Sequence, residues 1–250
     1  MITRKAILVS NPGEKGSNNY CGEVVLDMEN YEQFLKSPFG GTWYDDEIIQ
    51  LTRPTRSELT WTLRNAAQHD YTLIVFSGHG WYSKTHSSTI LELRTKEDID
   101  SMDLRMGCGK RTVILDCGRR RSEGITPPIE EREESPINYP PPDPTKCRRY
   151  YDEWIEKCSL GLIVTHACKA QEIAGDQRLN GGYYSYNLIR AAKEWAQYKM
   201  RSHTAAYEIL SVPDLHEKTA LAVEAMSDGH QVPEIEAPHC GNSFPFVVAA

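Results

Sequence analysis

No Cys-x-x-Cys pair and no His/Cys cluster at zinc spacing occurs in these 250 residues, so a structural zinc site is not indicated. The seven cysteines are odd in number and scattered, which argues for free thiols rather than a disulfide framework. Also missing is any stretch near the roughly 20 apolar residues that a bilayer-spanning helix needs. Residues 1–20 hold no apolar signal-peptide core, so a cytoplasmic protein that avoids membranes is expected. Positive charge is scarce: the net charge is −7, and the one basic run is Arg119, Arg120 and Arg121. That excludes the clustered basic face nucleic acids require. No GxGxxG or GxxxxGK follows a strand pattern, which removes the usual nucleotide fingerprints.

What is present is ordinary globular material, 40% apolar and 25% charged, and residues 1–250 read as a single domain able to bury one sizeable core. Strand and helix patterns alternate along it. Residues 6–10 form a short apolar strand running into Asn11-Pro12-Gly13, and Val25, Leu26, Met28, Tyr31, Phe34 and Leu35 recur at helical spacing. A strand over 47–51 and a helix over 55–67 follow, the helix opened by Thr55-Arg56-Ser57-Glu58, the spacing of a capping box. The apolar run Leu73 to Phe76 is the third strand. Beyond it the pattern predicts an exposed strand or hairpin over 87–93, a short helix within 98–106 and a fourth strand over 112–117. Between 118 and 146 the composition changes: seven of the 14 prolines and the acids Glu130, Glu131, Glu133 and Glu134 crowd together, the signature of a mobile loop. Tyr150, Tyr151, Trp154 and Ile155 then share one face of a helix over 147–158, and 160–167 is the fifth strand. A long helix over 183–200 enters through Gly181-Gly182, and its aromatics Tyr183, Tyr184, Tyr186 and Trp195 read as a face packed on the sheet, with the lining of a ligand groove as the rarer alternative. Further helix is expected in 203–210 and 214–226, and a last strand over 244–248 at the sheet edge. This rhythm implies an α/β fold, a mostly parallel sheet covered by helices on both faces.

In such sheets chemistry is placed at the carboxyl ends of the strands, and three of those ends are unusual. They are Ser77-Gly78-His79-Gly80, then Asp116-Cys117-Gly118-Arg119, and Thr165-His166-Ala167-Cys168. A His between two glycines at one strand end, beside a Cys at the next, is the pattern a thiol nucleophile needs. The imidazole takes the thiol proton, and strand-end N–H groups are available to an oxyanion.

With these motifs in order, the chain resembles the caspase and metacaspase superfamily of cysteine peptidases, most of all its bacterial caspase-like members. Ser77-Gly78-His79-Gly80 is similar to their His-Gly motif, and Val113 to Arg119 to the strand that bears their nucleophile. Cys168 to Asp176, followed by Gly182-Tyr183-Tyr184-Ser185-Tyr186, resembles the start of their smaller portion. The resemblance implies a three-layer α/β/α caspase-like fold with a sheet of about six strands. It also implies a His/Cys dyad, a peptide or protein substrate, and no cofactor.

One position departs from the family. Carried over residue by residue, His79 is the catalytic His, but the nucleophile falls on Gly118. A glycine cannot attack a carbonyl, so the chain as written is expected to be inactive. The residue is an engineered replacement of a Cys, or the mark of a natural pseudo-peptidase that binds a peptide or nucleotide without cutting, or a sign that Cys117 has taken the role. Adjacent strand residues point to opposite faces, which counts against Cys117. Cys168 matches a non-nucleophilic Cys of the family and reads as a small buried residue.

For substrate binding, the resemblance implies that Asp27, Ser77 and Asp116 line a negative pocket for an Arg or Lys side chain, with Asp176 at its rim. Cleavage after basic residues would make Arg119 to Arg121 candidate self-processing sites, against a solvated basic turn. Calcium activation, known in some relatives, would fall on Asp98, Asp100 and Asp103, whose spacing an ordinary acidic helix start also gives. Small bacterial relatives further imply an antiviral-defence effector, switched on by an activating protein or a small nucleotide signal.

Overall fold

The computed structural model describes residues 2–118, 142–170, 172, 174–177, 181–201, 206–237 and 242–249. Its centre is a six-stranded sheet in the order β12-β8-β7-β3-β1-β2. These strands are β1 (Arg4–Asn11), β2 (Ile48–Thr52), β3 (Tyr71–Gly78), β7 (Lys110–Cys117), β8 (Gly161–His166) and β12 (Glu234–Glu236). Five run parallel, and only β12 is antiparallel to its neighbour β8. The expected α/β/α sandwich is therefore present, and it is the parallel pairing that brings five strand ends to one edge.

The two faces of the sheet separate by strand alternation. Ala6, Leu8, Leu73, Val75 and Ile114 point into a large cluster beneath α1 (Glu23–Lys36), α4 (Pro144–Lys157), α5 (Tyr183–Arg201) and α6 (Val212–Met226). Ile7, Val9, Ile74, Phe76, Val113 and Leu115 point the other way, onto α2 (Arg56–Ala66). The capping box predicted for α2 forms: Thr55 Oγ1 accepts from Glu58 N at 3.1 Å, and Glu58 accepts from Thr55 N at 3.4 Å. On that same face lies a three-stranded antiparallel sheet of β4 (Gly80–Ser83), β5 (Ser88–Arg94) and β6 (Glu97–Asp100), followed by the single turn α3 (Ser101–Leu104).

Three expectations need correction. The 87–93 segment is not exposed, because Leu91 and Leu93 are fully buried against α2's layer. The short helix expected within 98–106 is present as α3, and β6, paired with β5, leads into it. Helix is not found at 208–210: Glu208–Ser211 is a strand, β11, and residues 202–205 lie outside the described set. The last strand, β13 (Pro245–Ala249), pairs antiparallel with β11 in a two-stranded sheet rather than extending the main one. Its five residues are all buried, so side-chain packing under α4 and α5 decided its place where an alternating pattern would have marked a sheet edge. Two further short strands, β9 (Asp176–Gln177) and β10 (Gly181–Gly182), pair with each other ahead of α5.

Order after the proline-rich stretch returns earlier than expected. Asp143 caps α4 by accepting from Thr145 N at 2.9 Å and Lys146 N at 3.3 Å, and Pro144 takes the first helical position, where its missing N–H costs nothing. Residues 144–146 thus belong to a helix, while the remaining loop expectation over 119–141, with Arg119 to Arg121, lies outside the described residues.

At the opposite edge of the sheet from the candidate site sits a buried charge cluster. Arg148 makes a two-pronged contact with Glu47 at 2.7 Å on each oxygen, and Arg4 reaches Asp152 at 3.2 Å and Glu47 at 3.5 Å. Arg4 also lies over the Trp43 ring at 4.4 Å. Burial pushes Arg4 down and Asp152 up from their ordinary values, whereas Arg148 is raised by its bond to Glu47. The Arg148–Glu47 pair is therefore the one the fold holds firmly charged.

No helix among the described residues is long and apolar enough to cross a membrane.

Candidate active site

Strand register fixes the site. β3 and β7 are adjacent and parallel, with Ser77 opposite Asp116 and Gly78 opposite Cys117. His79 and Gly118 are the next residues on the two strands, so they leave the same sheet edge about one strand spacing, roughly 5 Å, apart.

The glycines around His79 have structural causes. Gly78 has φ +151°, and a Cβ there would lie 2.7 Å from Asn11 O. At Gly80 a Cβ would meet Ile90 O at 2.9 Å and Cys117 Sγ at 3.0 Å. The chain must cross closely over β1 and β5 at this point, and only glycine permits it. A Gly80→Ala chain is expected to lose about 1–3 kcal/mol of stability by overpacking, read from urea melts. An unchanged midpoint would mean the hairpin shifts without strain.

His79 Nε2 lies 2.8 Å from Asn19 O. A carbonyl only accepts, so Nε2 is the nitrogen that carries a proton here, and the lone pair of the neutral tautomer this selects is on Nδ1, the arrangement a general base needs. Asn19 was not anticipated, because a backbone carbonyl leaves no mark in a sequence.

Faces follow from alternation. Ser77 and Asp116 turn toward α1 and α5, while Cys117 turns to the other layer, buried among Leu115, Val113 and Val164 and packed on Gly80. Positions 79 and 118 alternate with 77 and 116 and belong to the α1/α5 side. Cys168 is fully buried, its Sγ 3.7 Å from Cys117 O and 3.6 Å from Glu172 O.

The three residues expected to form the acid pocket converge, although 50 and 89 positions of chain separate Ser77 and Asp116 from Asp27. Ser77 Oγ donates to Asp27 Oδ2 at 2.6 Å. Gly182 N donates to Asp27 Oδ1 and Ser185 N to Asp116 Oδ2, each at 2.9 Å. The amide of Ser185 belongs to the first turn of α5, where the helix dipole favours a negative charge. Both carboxylates are enclosed, Asp27 at 1% and Asp116 at 5% exposure. Tyr31, one turn after Asp27 on α1, accepts from Ser185 Oγ at 3.3 Å. Burial, with the charges of Asp116 and Asp27 adding to it, pushes the Tyr31 phenol far above its ordinary value, so it stays protonated. The i, i+4 spacing of Asp27 and Tyr31 was the available signal for this residue. Asp176 opens β9, and its side chain lies outside the described atoms.

Asp98, Asp100 and Asp103 do not form a common ligand set: Asp100 caps Met102 N and accepts from Ser88, while Asp103 faces Arg56 at 3.7 Å.

Behind the pocket, Tyr184 Oη bonds His216 Nδ1 at 2.8 Å. Burial, then the neighbouring His166, lowers His216 to about 4. A His depressed in the folded state takes up its proton more readily when unfolded, so between about pH 6.5 and pH 4 stability falls as pH falls. The loss is expected to be on the order of 3 kcal/mol at pH 4. Urea melts at pH 7, 5.5 and 4.5 check it, and a His216→Gln chain should show a flatter profile over that window. An equal slope in both chains would assign the acid loss to other groups.

A family model described as the caspase domain, peptidase family C14, matches residues 3–245. The chain belongs to the caspase domain family. No curated protein matches it. The family is one of cysteine-peptidase-type hydrolases, and this caspase domain presents the family's sheet with nearly its whole length.

Proposed function

We propose that this caspase domain is built as a cysteine endopeptidase that cleaves after Arg or Lys, with His79 as general base and position 118 as the nucleophile site. Support comes from one observation above others: Asp27, Ser77 and Asp116 meet beside the β3 and β7 ends from which His79 and Gly118 emerge. Two carboxylates and a hydroxyl suit a guanidinium or ammonium group and repel an acidic side chain. With Gly118 in place, no thiol stands at the reacting position, and the chain binds without cutting.

Gly118 itself favours a second reading, a natural pseudo-peptidase serving as a peptide- or nucleotide-binding module. A Gly118→Cys chain separates the two. Profiled on peptides with Arg, Lys, Asp or Leu before the scissile bond, the peptidase reading expects cleavage after Arg and Lys only. Selective binding without any cleavage, thiol restored, assigns the module. A cytoplasmic antiviral effector, held off until an activating protein or nucleotide arrives, is the setting that the family resemblance suggests.

A further inference from the structure

The acid pocket is filled by the protein itself. Gly181 has φ +103°, and a Cβ on it would stand 2.1 Å from Asp27 Oδ1. On Gly182 a Cβ would stand 2.6 Å from Asp116 Oδ2. The backbone therefore presses directly on both carboxylates, closer than any residue with a side chain could. Its N–H groups at Gly182 and Ser185 take one oxygen of each acid, and Ser77 takes the second oxygen of Asp27. These are donors on acidic acceptors, the same chemistry an arginine or lysine side chain would bring. Asp27 and Asp116 show almost no surface to solvent, so a cation cannot reach them along the path the pocket reading requires.

We propose that the Gly181–Ser185 segment is an internal occupant of the Asp27–Asp116 pocket, which an incoming guanidinium or ammonium group must displace. This rests on the acid-pocket reading above and adds regulation to it. The glycine pair serves two ends. Without side chains it can lie flat on the acids, and the strand pairing of β10 with β9 spans just two residues. Opening transfers Gly182 N–H and Ser185 N–H from carboxylate to solvent while the ligand's donors replace them. Affinity for a basic side chain is then lowered by the fraction of molecules that are closed.

Amide hydrogen exchange on the unaltered chain tests this, with N-acetyl-arginine amide as probe and N-acetyl-citrulline amide as its neutral counterpart. In the free chain the Gly182 and Ser185 amides should be strongly protected. Saturating arginine amide should speed exchange at both by about tenfold or more, and citrulline amide should change neither. A Gly182→Ala chain, whose Cβ cannot fit against Asp116, should bind arginine amide roughly tenfold more tightly, since the occupant is already dislodged. Arginine amide bound with both amides still protected overturns the occupancy and leaves the acid pocket standing. Unprotected amides in the free chain overturn it as well. If arginine amide binds neither the unaltered nor the Gly182→Ala chain, the acid-pocket reading falls and takes the occupancy with it.

Discussion

Placing a thiol at position 118 is expected to raise hydrolysis of Arg- and Lys-containing peptides by at least about 10³-fold over the chain as it stands. The reason is positional. Position 118 follows Cys117 on β7 and alternates onto the face of Asp116, and His79 follows Gly78 on the neighbouring strand. The Asn19 carbonyl already holds the proton of His79 on Nε2, leaving Nδ1 to take the thiol proton. In the Gly118→Cys chain, His79→Ala should therefore remove about 10³-fold or more of the gain in kcat/KM, chiefly through kcat. Asp116→Asn should act mainly on KM and weaken the preference for basic residues, because it removes a charge that binds rather than reacts. Kinetics with fluorogenic peptides read both effects. Because the pocket is enclosed, the assay includes the Gly118→Cys, Gly182→Ala double variant. Inertness of both chains toward every basic peptide would end the peptidase reading, and a double variant insensitive to His79→Ala would remove His79 from the chemistry.

Removing Glu47 is expected to cost about 3–5 kcal/mol, the largest stability effect of any single replacement considered. Glu47 accepts both prongs of Arg148 and a contact from Arg4. Burial alone would raise its pKa, but the Arg148 bond, the Tyr44 amide and the two arginine charges outweigh it and hold the carboxyl below its ordinary value. A Glu47→Ala chain leaves two guanidinium groups facing one acid, Asp152, whose own ionisation burial already opposes. The melting temperature should fall by roughly 10 °C for a chain of this size. Replacing Arg4, Glu47, Arg148 and Asp152 together with apolar residues should cost much less, since isolated buried charge rather than the loss of the pairs is the destabilising element. A Glu47→Ala chain melting within 2 °C or so of the unaltered one would show that water enters the cluster and screens it.

Much of this architecture was legible before any coordinates. The apolar run at 73–76 ending in Ser-Gly-His-Gly marked a strand end, and the Thr55–Glu58 capping box marked the start of α2. These signals are local: a period, a cap or a breaker is written in neighbouring residues. The misreadings concern pairing. Glu208–Ser211 was read as helix and becomes a strand against Pro245–Ala249, which is far from it in sequence; the last strand was expected, but no local pattern records which strand it pairs with. β6 (Glu97–Asp100) likewise takes its form from β5 beside it, and only the short helix that follows was expected.

Taken alone, the sequence determined the order of the parallel strands and of the main helices, the strand-end motifs and the glycine at 118, because each depends on residue type and spacing within one stretch of chain. Tertiary structure alone decided that Asp27, Ser77 and Asp116 share one enclosure, that Asn19 holds the His79 proton, and that Gly182 and Ser185 cover the acids. Those outcomes depend on strand register and on backbone atoms, and every residue type carries the same backbone, so its placement has no signature in the side chains that a sequence spells.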